Sequence, residues 1–210
     1  MRTLLVSGCS ITHGAELYNN FMHPNNIKLS FSQHLADRLK CNLLNVALSA
    51  SSNEYIFHSL MDNIDQQDIH SIIVLWTTTG RLYWKNNGRY YFFLGNFASS
   101  MIDPVNFKMH DKRIGNCWFT GDNDDIVDKI SDIHKFFVTD YFDIIEEQKK
   151  LIHYSKALIS MCQTRNIKLI SIDWNYISDI GNWSKESRHP NANEHKQIAD
   201  RIYRQYYENI

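Results

Sequence analysis

Leu4-Leu5-Val6-Ser7-Gly8-Cys9-Ser10-Ile11-Thr12-His13-Gly14 opens the chain with an apolar run that stops abruptly in a small, polar turn. An unbroken apolar run reads as a strand buried on both faces, the kind a parallel sheet contains. Gly8 lets the backbone turn tightly after that strand, and Gly14 allows a second close approach. The reading predicts a strand over 2–7 that delivers Ser10 to the carboxyl edge of a sheet, where open α/β sheets place their ligands. The plainer role for such a serine is a helix N-cap or a serine turn, both common after a strand.

Working outward, Phe31, Leu35 and Leu39 repeat at four-residue spacing and predict a helix over 29–39, with Ser30 as its N-cap. Residues 42–47 read as a second strand and 51–65 as a helix with Tyr55, Ile56, Leu60 and Ile64 inward. Residues 71–77 are apolar enough for a third, fully buried strand. A βαβαβ beginning calls for a parallel sheet with right-handed crossovers. Between strand and helix, 15–28 is polar and reads as a loop over the sheet edge. The stretch 82–123 is aromatic-rich, lacks helical periodicity and is punctuated by Asp103-Pro104, Gly115-Asn116 and Gly121-Asp122-Asn123. It reads as an insertion, with Tyr90 to Leu94 as an extra strand or hairpin arm. Helices are expected over 124–137 and 141–165, a last sheet strand over 167–173, a loop over 174–188 and a closing helix over 191–207 with Ile198, Ile202 and Tyr206 inward. The whole of 1–210 reads as one domain of class α/β, a three-layer α/β/α sandwich around a mostly parallel sheet.

Composition narrows the classes of function. With 22 Lys and Arg against 23 Asp and Glu, the 210-residue chain is almost neutral, which gives no basis for nucleic-acid binding. The ten histidines are scattered, with no His-x-x-x-His pair and no Cys-x-x-Cys, so no structural metal is expected. Cys9, Cys41, Cys117 and Cys162 show no framework spacing and read as reduced thiols. The apolar run at the amino terminus is too short for a signal peptide, and no window approaches the roughly 20 apolar residues of a membrane span. These features predict a cytoplasmic protein without membrane attachment.

The far end supplies what a nucleophilic Ser10 needs. Glu186-Ser187-Arg188-His189-Pro190 puts an acid three residues before a histidine, ahead of the closing helix. Serine attack requires a base to take the hydroxyl proton and an acid to fix the base's tautomer. Structural readings stand beside these: His-Pro favours the start of a helix, and most glutamates are solvated. In this order the motifs resemble the SGNH (GDSL-type) hydrolase family. Gly8 to Gly14 resembles its first block, with Cys9 at the usual aspartate; Asn45 to Asn53 resembles the second; Val74 to Arg81 stands in place of the third; Glu186 to His189 resembles the last, with Glu for the usual Asp.

The resemblance implies a flavodoxin-like SGNH-hydrolase fold and a serine esterase without metal or organic cofactor. It makes Ser10 the nucleophile, His189 the general base and Glu186 the orienting acid. Oxyanion donors would come from the Ser10 N–H, from Ala50 where the family has glycine (Ser49 if the register slips by one), and from the third block. There Thr77-Thr78-Thr79-Gly80 replaces the family's asparagine, leaving Thr78, Thr79 or, from the next helix, Asn53 as donors. Cys9 reads as buried core. His13 reads as a lip residue that contacts substrate, and Arg81 as a surface cation or an anchor for an anionic one. Tyr83, Trp84, Tyr90, Tyr91 and Trp118 are candidates for sugar stacking. The implied substrate is a small acyl ester, including O-acetyl groups on a glycan. The alternative is a non-catalytic SGNH-like module that binds a glycan or a protein partner. A phosphate-binding flavodoxin-like protein fits less well, since both Gly-x-Gly-x-x-Gly and a P-loop lysine are missing.

Overall fold

The computed structural model describes residues 2–18, 23, 25–49, 51–66, 68–79, 81–86, 89–94, 113–114, 117–119, 143–184 and 189–208. The expected helix over 124–137, Glu186 and Ala50 lie outside the described residues, as do the side chains of the five candidate stacking aromatics.

Four strands form an all-parallel sheet: β1 (Thr3–Ser7), β2 (Asn42–Asn45), β3 (Ile69–Leu75) and, after the insertion, Lys168–Ile172, in the spatial order β2, β1, β3, last strand. Leu4, Leu5, Val6, Ile72, Ile73 and Val74 are fully buried, as the unbroken apolar runs predict. Alternation then sorts the sheet's two faces. Leu4, Val6, Ile73, Leu75, Ile170 and Ile172 pack with Phe31, Leu35, Ile198 and Ile202 on one side. Leu5, Ile72 and Val74 pack with Ile56, Leu60, Leu158 and Cys162 on the other. The result is the expected α/β/α sandwich, an α/β fold built on a parallel sheet.

The helices begin where their caps stand. The expected helix over 29–39 divides at Ser30: a short α2 (Asn26–Leu29) lies inside the supposed loop, and α3 (Phe31–Leu39) follows. Ser30 is extended (φ −74°, ψ 160°) and its hydroxyl takes up the Gln33 N–H, so it ends one helix and caps the next. Ser52 likewise caps α4 (Asn53–Met61), which is shorter than the expected 51–65. Asp143 caps α5 (Ile144–Thr164), accepting from the Ile145 and Glu146 N–H groups. The expected loop over 174–188 opens with a short α6 (Trp174–Ile177), because the Asp173 carboxylate caps the Tyr176 N–H. Asn191 and Glu194 form a reciprocal capping box at the start of α7 (Ala192–Tyr206).

The segment after β3 carries a second, antiparallel sheet. Its strands are β4 (Arg81–Asn86), β5 (Arg89–Leu94), β6 (Arg113–Ile114) and β7 (Cys117–Phe119), which makes Lys168–Ile172 of the main sheet β8. Tyr90 to Leu94 is therefore one arm of a hairpin, paired with β4 from Arg81–Leu94 to Asn86–Arg89. Among the described residues no helix is long and apolar enough to cross a membrane, and Cys9, Cys41 and Cys162 are free thiols.

His195 joins α7 to α3. Its ring is fully buried, stacks on Phe31 at 6.1 Å between centroids, and accepts the Phe31 N–H at Nδ1 (3.1 Å). That N–H is one of the orphan donors of the α3 terminus. Burial above all, with repulsion from His34 and His189, pushes the imidazole down to about 3 from 6.5, against a smaller pull from Glu194. The unfolded chain therefore takes up this proton near pH 6.5 and the folded chain only near pH 3. Stability present above pH 6.5 should fall as pH drops through that window, by up to about 1.4 kcal/mol per pH unit. Urea denaturation between pH 7 and pH 4 should show this slope, and His195→Gln, which keeps an acceptor but does not titrate, should flatten it.

Candidate active site

The first block is folded by contacts from the second. After β1 the chain turns at Gly8 and enters the single-turn α1 (Ser10–His13). A Cβ on Gly8 would lie 2.1 Å from Thr12 Oγ1 and 2.8 Å from Thr12 Cβ, so the turn closes this tightly only around glycine. The Gly8 carbonyl accepts from the Ser51 hydroxyl (2.9 Å) and the Leu48 N–H (3.3 Å). Asn45 donates from Nδ2 to the Thr12 carbonyl (3.0 Å) and to Ser32 Oγ (2.8 Å), while its Oδ1 accepts the Ala47 N–H (2.9 Å). Gly14 ends α1 in the left-handed region (φ 79°), where a Cβ would meet the Asn26 carbonyl at 2.7 Å.

Ser10 is the first residue of α1, not its cap: Cys9 occupies the N-cap without a side-chain capping bond. Both residues lie beyond β1, which stops at Ser7. Cys9 is nevertheless buried, as expected. The Ser10 hydroxyl meets His189 Nε2 at 3.0 Å across 179 residues of sequence. The other ring nitrogen, Nδ1, meets Glu16 Oε2 at 3.0 Å. Both contacts are satisfied by one tautomer, with the proton on Nδ1 toward the carboxylate and the Nε2 lone pair toward the serine. Pro190, buried at the entry to α7, follows the histidine directly. The serine is 6% exposed and the His189 side chain 24%, so solvent reaches the pair from one side.

Glu16 has no place in the sequence-based expectations. One sequence signal marks it: histidines aside, it is the only charged side chain between Arg2 and Lys28.

Other expected site residues sit as follows. Asn53 uses Oδ1 to accept the Thr77 N–H (2.8 Å) and Nδ2 to donate to the Thr77 carbonyl (3.0 Å), clamping the third block to the start of α4. One hydrogen of its amide remains. Thr78 is exposed and Thr79 half-buried on the turn after β3. His13 is a correction: it is 7% exposed, not on the lip, because α1 turns it under the second block near Ala47. Burial pushes its imidazole below the ordinary range, and the nearby Ala47 carbonyl opposes that without a hydrogen bond of normal geometry. Both His13 nitrogens, Thr12 Oγ1, Arg81 Nη1, Trp183 Nε1 and His195 Nε2 are buried without partners among the described residues. Buried polar atoms are normally paired, so each orphan marks a place where water or a ligand would bind.

No protein-family model and no curated protein matches the sequence. Solved structures do. A lipolytic protein of the G-D-S-L family from Desulfitobacterium hafniense aligns over 97% of this chain and 99% of its own, at 12% identity and a TM-score of 0.41. An esterase from Pseudoalteromonas aligns over 100% of both chains at 13% identity and a TM-score of 0.41. An acetyl xylan esterase from Butyrivibrio proteoclasticus aligns over 97% of this chain and 64% of its own, at 12% identity and a TM-score of 0.49.

The Gly8 turn is directly testable. Gly8→Ala forces its Cβ into Thr12 and should cost about 1–3 kcal/mol in urea denaturation, the range for overpacking a tight site. Gly14→Ala, which meets backbone at an unfavourable φ, should cost at least as much.

Proposed function

We propose that the protein is a serine ester hydrolase of the SGNH (GDSL) type, with Ser10 as nucleophile and His189 as general base. The 3.0 Å approach of His189 Nε2 to Ser10 Oγ carries this reading. Ser10 attacks the acyl carbon as its proton passes to Nε2, and the imidazolium then protonates the leaving alcohol. Water, activated by the same nitrogen, attacks the acyl-enzyme, releases the acid and restores the serine. The chemistry requires no metal or organic cofactor.

The oxyanion is met first by the Ser10 N–H, which opens α1 and has no acceptor among the described residues. The Ala50 N–H and a hydroxyl of Thr78 or Thr79 complete the hole in this reading, with the remaining amide hydrogen of Asn53 as the other source. Glu186, three residues before His189 in the sequence, is the orienting acid that the family resemblance supplies. Acyl groups of acetyl size, including O-acetyl groups on glycans, are the proposed substrates.

Arg81 narrows the substrate further. Its Nη1 is buried, and it makes no hydrogen bond or ion pair among the described residues, at the start of the strand that follows the third block. An unpaired, partly buried guanidinium is costly unless an anion completes it. We therefore assign the ester a negatively charged group. Arg81→Ala should raise KM about tenfold for a short ester carrying a carboxylate and leave KM for the neutral analogue unchanged.

A second reading, a non-catalytic SGNH-like module that binds a glycan or protein, is favoured by the threonines in place of the third-block asparagine. A fluorophosphonate probe separates the two. A single adduct by intact mass on wild type, absent in a folded Ser10→Ala, is the outcome for the hydrolase. Wild type that takes up no probe leaves the binding module.

A further inference from the structure

We propose that Glu16, from the turn immediately after the nucleophile's own helix, is the carboxylate that positions His189. The proposal rests on the reading of Ser10 and His189 as a hydrolytic pair. It departs from that reading in its acid, since the family resemblance looks for one three residues before the histidine.

Position comes first. Glu16 Oε2 lies 3.0 Å from Nδ1, on the side of the ring opposite the Ser10 contact. A carboxylate there accepts the Nδ1 proton's hydrogen bond and holds the ring with its Nε2 lone pair on the serine hydroxyl.

Backbone conformation is the second and independent observation. Glu16 has φ +71°, two residues after Gly14 at +79°. A left-handed conformation suits glycine or asparagine, and a glutamate there is unfavourable. The turn itself is held by backbone bonds, Ala15 N–H to the Ser10 carbonyl (2.9 Å) and Leu17 N–H to the Gly14 carbonyl (3.2 Å). Nothing in that turn calls for a long acidic side chain. The Glu16 side chain is also 57% exposed, so core packing does not account for it. Strain held by a residue whose side chain points at a reacting group is the pattern of functional sites.

The third observation is linkage. The nucleophile and the carboxylate then share one seven-residue segment, Ser10 to Glu16, fixed to the second block through Asn45 and Gly8. His189 enters a site whose other two members are already in register. Its alignment depends on the approach of one loop instead of two.

The full-length chain is tested as wild type, Glu16→Gln, Glu186→Gln, Glu16→Gly and Ser10→Ala. The measurements are the rate of fluorophosphonate labelling, kcat/KM on short acyl esters, thermal unfolding, and the low-field proton resonance of His189 Nδ1–H. Glu16→Gln should slow labelling and lower kcat/KM by roughly tenfold to a hundredfold, below the loss seen for a buried triad acid because Glu16 is half in solvent. The low-field resonance should move upfield or vanish, while Glu186→Gln leaves it in place. Glu16→Gly should show the same loss of rate while keeping or raising the melting temperature, since it relieves the positive φ. That split is not the mark of a merely structural residue. Glu16→Gln that labels at the wild-type rate with the resonance unchanged overturns the role of Glu16 and leaves the Ser10–His189 pair standing. Wild type that takes up no probe, or Ser10→Ala that labels equally, overturns the hydrolytic reading and this role with it.

Discussion

The hydrogen bond between Ser10 and His189 joins the first turn of the fold to the loop before its last helix, and it holds only if both ends are fixed independently. At the front, the central position of β1 does this: it pairs with β2 on one side and β3 on the other, so its carboxyl end cannot shift without disrupting two ladders. At the back, α7 is seated by Ile198 and Ile202 in the core and by the His195 bond to Phe31. The capping box at Asn191, two residues beyond His189, fixes where α7 starts. The imidazole thus stands directly ahead of a packed element. This follows the general rule that sites are accurate when they stand on packed elements.

The second block contributes structure more than surface. Asn45, Ser51 and Asn53 each direct side-chain polar groups at backbone of the first or third block. Such bonds contribute about 1 kcal/mol each in net stability, but the cost of leaving a buried carbonyl unmet is larger. Thr12 and Thr77 would present unmet carbonyls if these side chains were lost, and Gly8 would keep only the Leu48 N–H. Polar residues in this block are therefore tied to the shape of the turn around Ser10.

What was legible in the sequence tracks what depends on neighbours in sequence. The unbroken runs at 4–6 and 72–74 announce buried parallel strands, and Ser30 and Asn191 announce helix starts, because burial pattern and capping are local properties. The end of β1 at Ser7 was legible in the same way, but the helical turn that follows it was not. Whether Ser10 continues a strand or starts a helical turn depends on Thr12 folding back over Gly8, a contact that hydrophobic periodicity does not carry. His13 followed: an exposed lip position for a polar residue became a buried one once α1 turned under the second block. Glu16 was missed because its contact is 173 residues away in sequence and the polar stretch around it reads as an ordinary loop. Its isolation as a charge in an otherwise uncharged stretch was the available sign.

Among the described residues, Thr12 and His13 carry buried polar atoms without partners and Glu16, three residues on, holds a positive φ; Arg81, Trp183 and His195 carry further such atoms, and Lys40, Asp68 and Asn166 further positive φ, elsewhere in the chain. A sequence selected for stability alone would have replaced these groups, since each unmet buried polar atom is costly and surface-facing glycine at residue 16 is easily reached by mutation. Those in the segment after β1 break the local rules beside the Ser10–His189 contact, where a bound molecule would restore them. Asn53, which accepts the Thr77 N–H and donates to its carbonyl, fixes the backbone turn after β3.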